Sequence, residues 1–159
     1  MKIKVIENKH RAGEEPEVVI YCSEENQEIR RLVKLIQSMD IRIAGSNENV
    51  SCSLRQEDIY YFEAVDGKVF AYLEKEVWQV PHSLESLGRL LKAGRGSSFF
   101  RISKSCIVNL DHVEHLTSMM GNRIIAGMEN GEEVIISRHY AGMFRDYLKY
   151  GRCGDDTEM

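Results

Sequence analysis

The chain has 159 residues, 43% of them hydrophobic and 29% charged, with a formal net charge of -4. Usage of this kind fits one globular domain with at most a small annex, and it excludes an intrinsically disordered chain. The longest apolar runs are a few residues, far short of the roughly 20 that a bilayer-crossing helix needs.

In chain order, residues 2–7 (KIKVIE) alternate apolar and polar and predict a strand; EVVIYC at 17–22 predicts a second. Ser23 is the expected N-cap of a helix near 25–38, with Glu24 and Glu25 in its first turn. Ile29, Leu32, Val33, Ile36 and Met39 recur there at helical spacing. Residues 41–44 and 50–54 predict two more strands joined by the turn-rich GSNEN. The expectation is a small strand-strand-helix-strand unit over 1–50 that packs onto the remainder.

From Asp58 the pattern changes to short strands and tight turns. DIYYFEAV and KVFAYLE flank Asp66-Gly67, a pair suited to a two-residue hairpin turn because both residues accept positive φ. VWQV follows, then a short helix, SLESLGRLLKA, capped by Ser83, with Leu84, Leu87, Leu90 and Leu91 on one face; GRGSS (94–98) ends it. FFRI, CIVNL, HVEHLT, RIIAGM and EVIIS read as strands, with Asn130-Gly131 the strongest hairpin signal. A last helix near 139–149 carries Tyr140, Met143, Phe144, Tyr147 and Leu148, and residues 151–159 read as an acidic tail. The fold class expected is mainly β with α (α+β), with residues 51–150 as the main domain.

Charge is unevenly placed. The 25 residues from 86 to 110 hold Arg89, Lys92, Arg95, Arg101 and Lys104 and no acid; Val134 to Arg145 holds Arg138, His139 and Arg145 and no acid. An acidic total is therefore compatible with a basic face, since a polyanion senses charge over about 8–10 Å at moderate salt. Arg101, Ser103, Lys104 and Ser105 flank a predicted strand end, and arginine, lysine and hydroxyls are the groups that hold phosphates or reach base edges. Ser137, Arg138 and His139 repeat that chemistry where the last helix begins, at N–H groups that favour an anion.

Three stretches, DIYYFEAVDGKVFAYL, FFRISKSCIVNLDHVEHL and NGEEVIISRHYAGMFRDYL, resemble the LytTR family of bacterial DNA-binding domains over roughly residues 52–149. The resemblance implies stacked small β-sheets without a helix-turn-helix, and loop side chains that enter successive major grooves. Carried over by position, the DNA-binding set is Lys68, Arg101, Ser103, Lys104 and Arg138, beside the Ser137 and His139 already singled out. Asn109 in the IVN motif is expected to be structural, bonding backbone at a turn. Family members often carry a phosphoreceiver domain, whereas residues 1–50 hold a single Asp, Asp40, so regulation by phosphorylation within this chain is not expected. The partners expected are promoter repeats in double-stranded DNA, a second copy in a homodimer, and a membrane-protein regulator. The alternative is a protein-interaction module on the same fold with weak, nonspecific DNA affinity.

Other chemistry is weakly supported. Cys22, Cys52, Cys106 and Cys153 are scattered with no CxxC pair, which argues against a disulfide framework or zinc site, and Cys106 reads as a buried, inert thiol. His112 and His115 point to opposite faces of a strand, so no metal is expected there. GRGSS lacks the Lys-Ser/Thr ending of a P-loop. No nucleophile elbow, HExxH or triad is present, and neither a cofactor nor enzymatic activity is expected. A charge-interrupted N-terminus unlike a signal peptide points to the cytoplasm.

Overall fold

The computed structural model describes residues 18–39, 41–93 and 97–151. The predicted strand at 2–7, Gly94–Gly96 and most of the acidic tail lie outside the described residues. The second predicted strand does not form: residues 18–22 have no regular structure, and Val18, Val19 and Tyr21 are exposed. No described strand pairs with them, so their alternation has no face to bury.

Helix α1 spans Gln27–Met39. Its cap is Asn26 rather than Ser23: the Ile29 amide donates to the Asn26 side-chain oxygen at 3.0 Å. That satisfies a first-turn N–H three residues later than the sequence suggests. Strands β1 (Arg42–Asn47) and β2 (Val50–Arg55) then form a hairpin. β1 also pairs with β5 (Val77–Val80) through Ser46 opposite Gln79, so this hairpin extends the main sheet. Gly45 permits the junction, because a Cβ there would lie 2.8 Å from Leu54 Cδ1 and 2.9 Å from Trp78 Cβ.

The main sheet is antiparallel throughout and runs β2-β1-β5-β4-β3-β7-β6. β3 (Tyr61–Val65) and β4 (Lys68–Tyr72) turn at Asp66 and Gly67, whose φ values of 51° and 75° are those of the expected two-residue turn. β6 (Phe99–Ser103) and β7 (Cys106–Asn109) form the second hairpin of this sheet's far half. A smaller sheet holds β8 (Val113–Met119), β9 (Arg123–Met128) and β10 (Glu133–Ile136) in the order β10-β9-β8. At the β9–β10 turn only Gly131 takes a positive φ; Asn130 contributes its side-chain oxygen to the Glu132 amide instead.

Alternation along the strands splits the apolar residues between two cores. On one face, α2 (Leu84–Leu90) lays Leu84 and Leu87, with Leu91 just beyond, over Ile43, Phe62, Val69, Phe99 and Ile107. Ser83 caps this helix as expected, accepting from the Ser86 amide at 3.1 Å, whereas Leu90 is left exposed. On the other face Phe100, Ile102, Cys106 and Val108 meet Ile124, Ala126, Met128 and Ile136 of the small sheet. Strand β7, covered on both sides, is buried at all four positions. Each large side chain so enclosed contributes about 1.5–3 kcal/mol.

Helix α3 (Arg138–Asp146) continues into a π-helical turn at Tyr147–Gly151. Its buried line is Ala141 and Phe144, with Tyr140 and Tyr147 packed against the core. Met143 and Leu148, expected on that line, are 52% and 39% exposed. The helix is anchored by Phe144 edge-on to Phe100, with ring centroids 5.4 Å apart, and by the Tyr147 hydroxyl donating to the Ser97 carbonyl at 2.6 Å. The two sheets are further pinned by Tyr61, whose hydroxyl donates to Glu132 at 2.8 Å.

Candidate nucleic-acid interface

Three segments far apart in sequence meet at one end of the molecule. The first is the β3–β4 turn, which brings Lys68 into register opposite Val65. The second is the β6–β7 turn, with Lys104 and Ser105 at its tip. Because β3 pairs with β7, the two tips point the same way, and the Ala64 amide donates to the Ser105 carbonyl at 2.8 Å. The third is the start of α3, where the Ser137 amide donates to the Ile102 carbonyl at 2.9 Å. That bond ties the exit of the small sheet to the strand that carries the RISKS segment.

Side chains at this end differ in how they are held. Lys68, Lys104 and Arg138 are exposed, and among the described residues no carboxylate lies within ion-pair distance of them. By alternation Lys68 shares its face with Phe70 and Tyr72, the face on which the small sheet and α3 lie. Ser137 is half-buried and its hydroxyl makes no capping bond; its carbonyl accepts from the Tyr140 and Ala141 amides. His139 is exposed, with its ring edge-on to Tyr140 at 5.0 Å. Asp66 also lies at this end, in the turn that precedes Lys68.

Two of the seven are turned inward on the protein. Arg101 is half-buried and donates from Nε to the Ser103 carbonyl at 3.1 Å and from Nη2 to the Lys104 carbonyl at 2.7 Å. The Ser103 hydroxyl accepts from the Ser105 amide at 3.1 Å and lies 3.3 Å from the Ser105 hydroxyl. The segment thus mixes an exposed cation with residues that hold its backbone. No sequence pattern separates the two kinds, because both occur in the same five-residue run.

Asn109 is structural, as expected. It is 1% exposed, donates to the Ile59 carbonyl at 2.9 Å and accepts from the Asp111 amide at 3.1 Å. Cys106 is buried, and that burial, with Glu63 adding to it, pushes its thiol up to about 12. His112 stacks on Tyr60 with ring centroids 4.0 Å apart, with Nδ1 3.1 Å from Glu129 and Nε2 2.6 Å from the Glu57 carbonyl. His115 packs against Gly127, and among the described residues no cluster of metal-ligating side chains occurs. Of the GRGSS loop, Ser97 accepts from the Phe99 amide and Ser98 donates to Asp111, so both described serines are committed locally.

The backbone bonds that join the three segments, at Ala64 and Ile102, were not legible in advance. They depend on which strands become neighbours, not on side-chain type.

Comparison with known proteins identifies the family and the fold. The family model of the LytTr DNA-binding domain matches residues 50–149. Two curated relatives, each a sensory transduction protein LytT, come from Bacillus anthracis and Bacillus cereus. Each is 30% identical over 93 residues, covering 58% of this chain and 37% of the relative. The chain thus spans little more than a third of their length. A solved LytTr DNA-binding domain from Bacillus cereus superposes with a TM-score of 0.64 at 27% identity, over 69% of this chain and 97% of that one.

Proposed function

The chain belongs to the LytTr DNA-binding domain family, and from that membership we propose that it is a sequence-specific transcriptional regulator that grips duplex DNA with the turn end of its main sheet. Lys68, Lys104 and Arg138 make the charged contacts in successive major grooves; Ser137 and His139 flank Arg138, and Arg101 and Ser103 support Lys104. The observation that supports this reading is the convergence of three distant segments through the Ala64–Ser105 and Ser137–Ile102 backbone bonds. The N-terminus of α3 adds partial positive charge beside Arg138. The role is DNA binding, not catalysis. Among the described residues no helix is long and apolar enough to cross a membrane.

Residues 51–150 act as the DNA-binding domain, 1–50 as an annex and 151–159 as a tail. The protein works in the cytoplasm as a homodimer on paired half-sites, and its control does not run through phosphorylation of this chain. A membrane protein is the regulatory partner.

The test is fluorescence anisotropy on duplexes from the region upstream of its own gene, with salt varied. Lys104→Ala and Arg138→Ala are each expected to weaken binding. A lost phosphate contact lowers the slope of log K against log salt by about 0.9, and a lost bidentate base contact costs about 1–3 kcal/mol. Wild-type affinity in both variants at equal salt would overturn the assignment.

A second reading has its own support. Ile29, Leu32, Val33 and Ile36 of α1 are half-buried and belong to neither core, and Leu35 is 56% exposed. That stripe fits a protein-interaction module in which DNA affinity is weak and independent of sequence. Binding of equal strength to upstream and scrambled duplexes would favour it.

A further inference from the structure

We infer that Arg101 is a positioning residue: its guanidinium holds the β6–β7 turn in the shape that presents Lys104, and its charge is not spent on a phosphate. This rests on the DNA-binding reading above and assigns a distinct task to one of its residues. The turn between Ser103 and Cys106 has two central residues, Lys104 and Ser105, and neither takes a positive φ. Two-residue hairpins without positive φ fit poorly to the right-handed twist of their strands. Here a register shift between Arg101 and Ser103 takes up the mismatch. A turn so built leaves carbonyls directed away from the ladder, and Arg101 donates to two of them, Ser103 at 3.1 Å and Lys104 at 2.7 Å.

The direction of approach supports the same role. Arg101 lies on the face of β6 shared by Phe99, which packs in the core under α2. Phe100 and Ile102, on the opposite face, pack against the small sheet and α3. Arg101 therefore reaches the turn from behind, relative to the face that carries Lys68. The Ser103 hydroxyl, accepting from the Ser105 amide, and the Ser105 carbonyl, accepting from Ala64, complete the brace. Lys104 itself is exposed at the tip. Ordering that tip before binding reduces the entropy lost when DNA arrives. A planar fork satisfies two carbonyls at once; a lysine ammonium on a flexible stem does not reproduce it.

The experiment uses the full chain and the duplex that the wild type enriches from a random-sequence pool. Affinity is measured across a salt series for Arg101→Lys, Arg101→Met, Lys104→Ala and the double variant Arg101→Met/Lys104→Ala. Both Arg101 variants are expected to bind about tenfold more weakly, with the salt slope unchanged. Lys104→Ala is expected to lower the slope by about 0.9. In the Lys104→Ala background, Arg101→Met should add little, because the turn then presents nothing.

Near-wild-type binding by Arg101→Lys, a slope reduced by about 0.9 in Arg101→Met, or additive losses in the double variant would each overturn the inference. The first two would assign Arg101 to a phosphate. If Arg101→Met does not fold, the lysine variant and its salt slope still decide. A pool from which the wild type enriches no duplex would sink the DNA-binding reading itself, before Arg101 enters.

Discussion

At the scale of single residues, the polar side chains buried in the fold can be told apart by what they bond. Asn109 connects the Ile59 carbonyl to the Asp111 amide from a site that is 1% exposed. Asn109→Ala strands both backbone groups and is expected to cost about 2–3 kcal/mol, read as a lower urea midpoint with unchanged slope. Cys106 gives a second expectation. Its thiol, held near 12 by burial, should stay unreactive toward a thiol reagent in the native protein, while exposed Cys22 and Cys52 react. A chain with serine at 22, 52 and 153 should then titrate only on unfolding.

The same groups set the alkaline limit. Cys106, Tyr60, Tyr61 and Tyr72 are all raised, in each case chiefly by burial. Above the ordinary thiol and phenol values, about 9 to 10, the unfolded chain loses protons that the native one keeps. The stability these groups contribute should therefore fall as pH rises past about 9. Thermal midpoints taken from pH 7 to 11 would show it; a midpoint that climbs over that range contradicts the assignment.

At the scale of elements, turns and close approaches decide what can be altered. Gly45 lies where a Cβ would meet Trp78 Cβ at 2.9 Å, an atom close to backbone and slow to give way. Gly45→Ala is expected to destabilise by about 1–3 kcal/mol through overpacking where β1 meets β5. In Gly127→Ala the obstacle is the exposed ring of His115, which can swing aside, so the effect should be smaller.

Elements with strong local chemistry were legible: the Asp66-Gly67 turn and the Ser83 cap both follow from residue type. Elements needing a distant partner were less so. EVVIYC has the alternation of a strand, but no described strand lies beside it. On α3, Met143 and Leu148 share the apolar periodicity yet stay exposed, because periodicity marks apolar positions without saying which the core will meet.

At the scale of the whole molecule, composition misleads in a useful way. A net charge of -4 belongs to the chain, while the turn end exposes Lys68, Lys104 and Arg138, none of which forms an ion pair with a carboxylate among the described residues. The basic windows in the sequence pointed to that end, but they did not distinguish Arg101, folded onto carbonyls, from Lys104, projecting beyond them. That distinction needs coordinates, since both residues have the same local composition.

The Ser137–Ile102 bond has a further consequence, because Ser137 directly follows the small sheet while Ile102 lies in the main one. If Lys104 and Arg138 grip DNA together as proposed, that grip exists only while the small sheet stays docked on the main one across their shared core. Loosening the small sheet withdraws Arg138 from Lys104 without touching either side chain. Such a molecule would fall silent when heated or chemically stressed, instead of clinging indiscriminately to the chromosome. On the proposed reading, occupancy of its DNA site would then report on its own structural integrity.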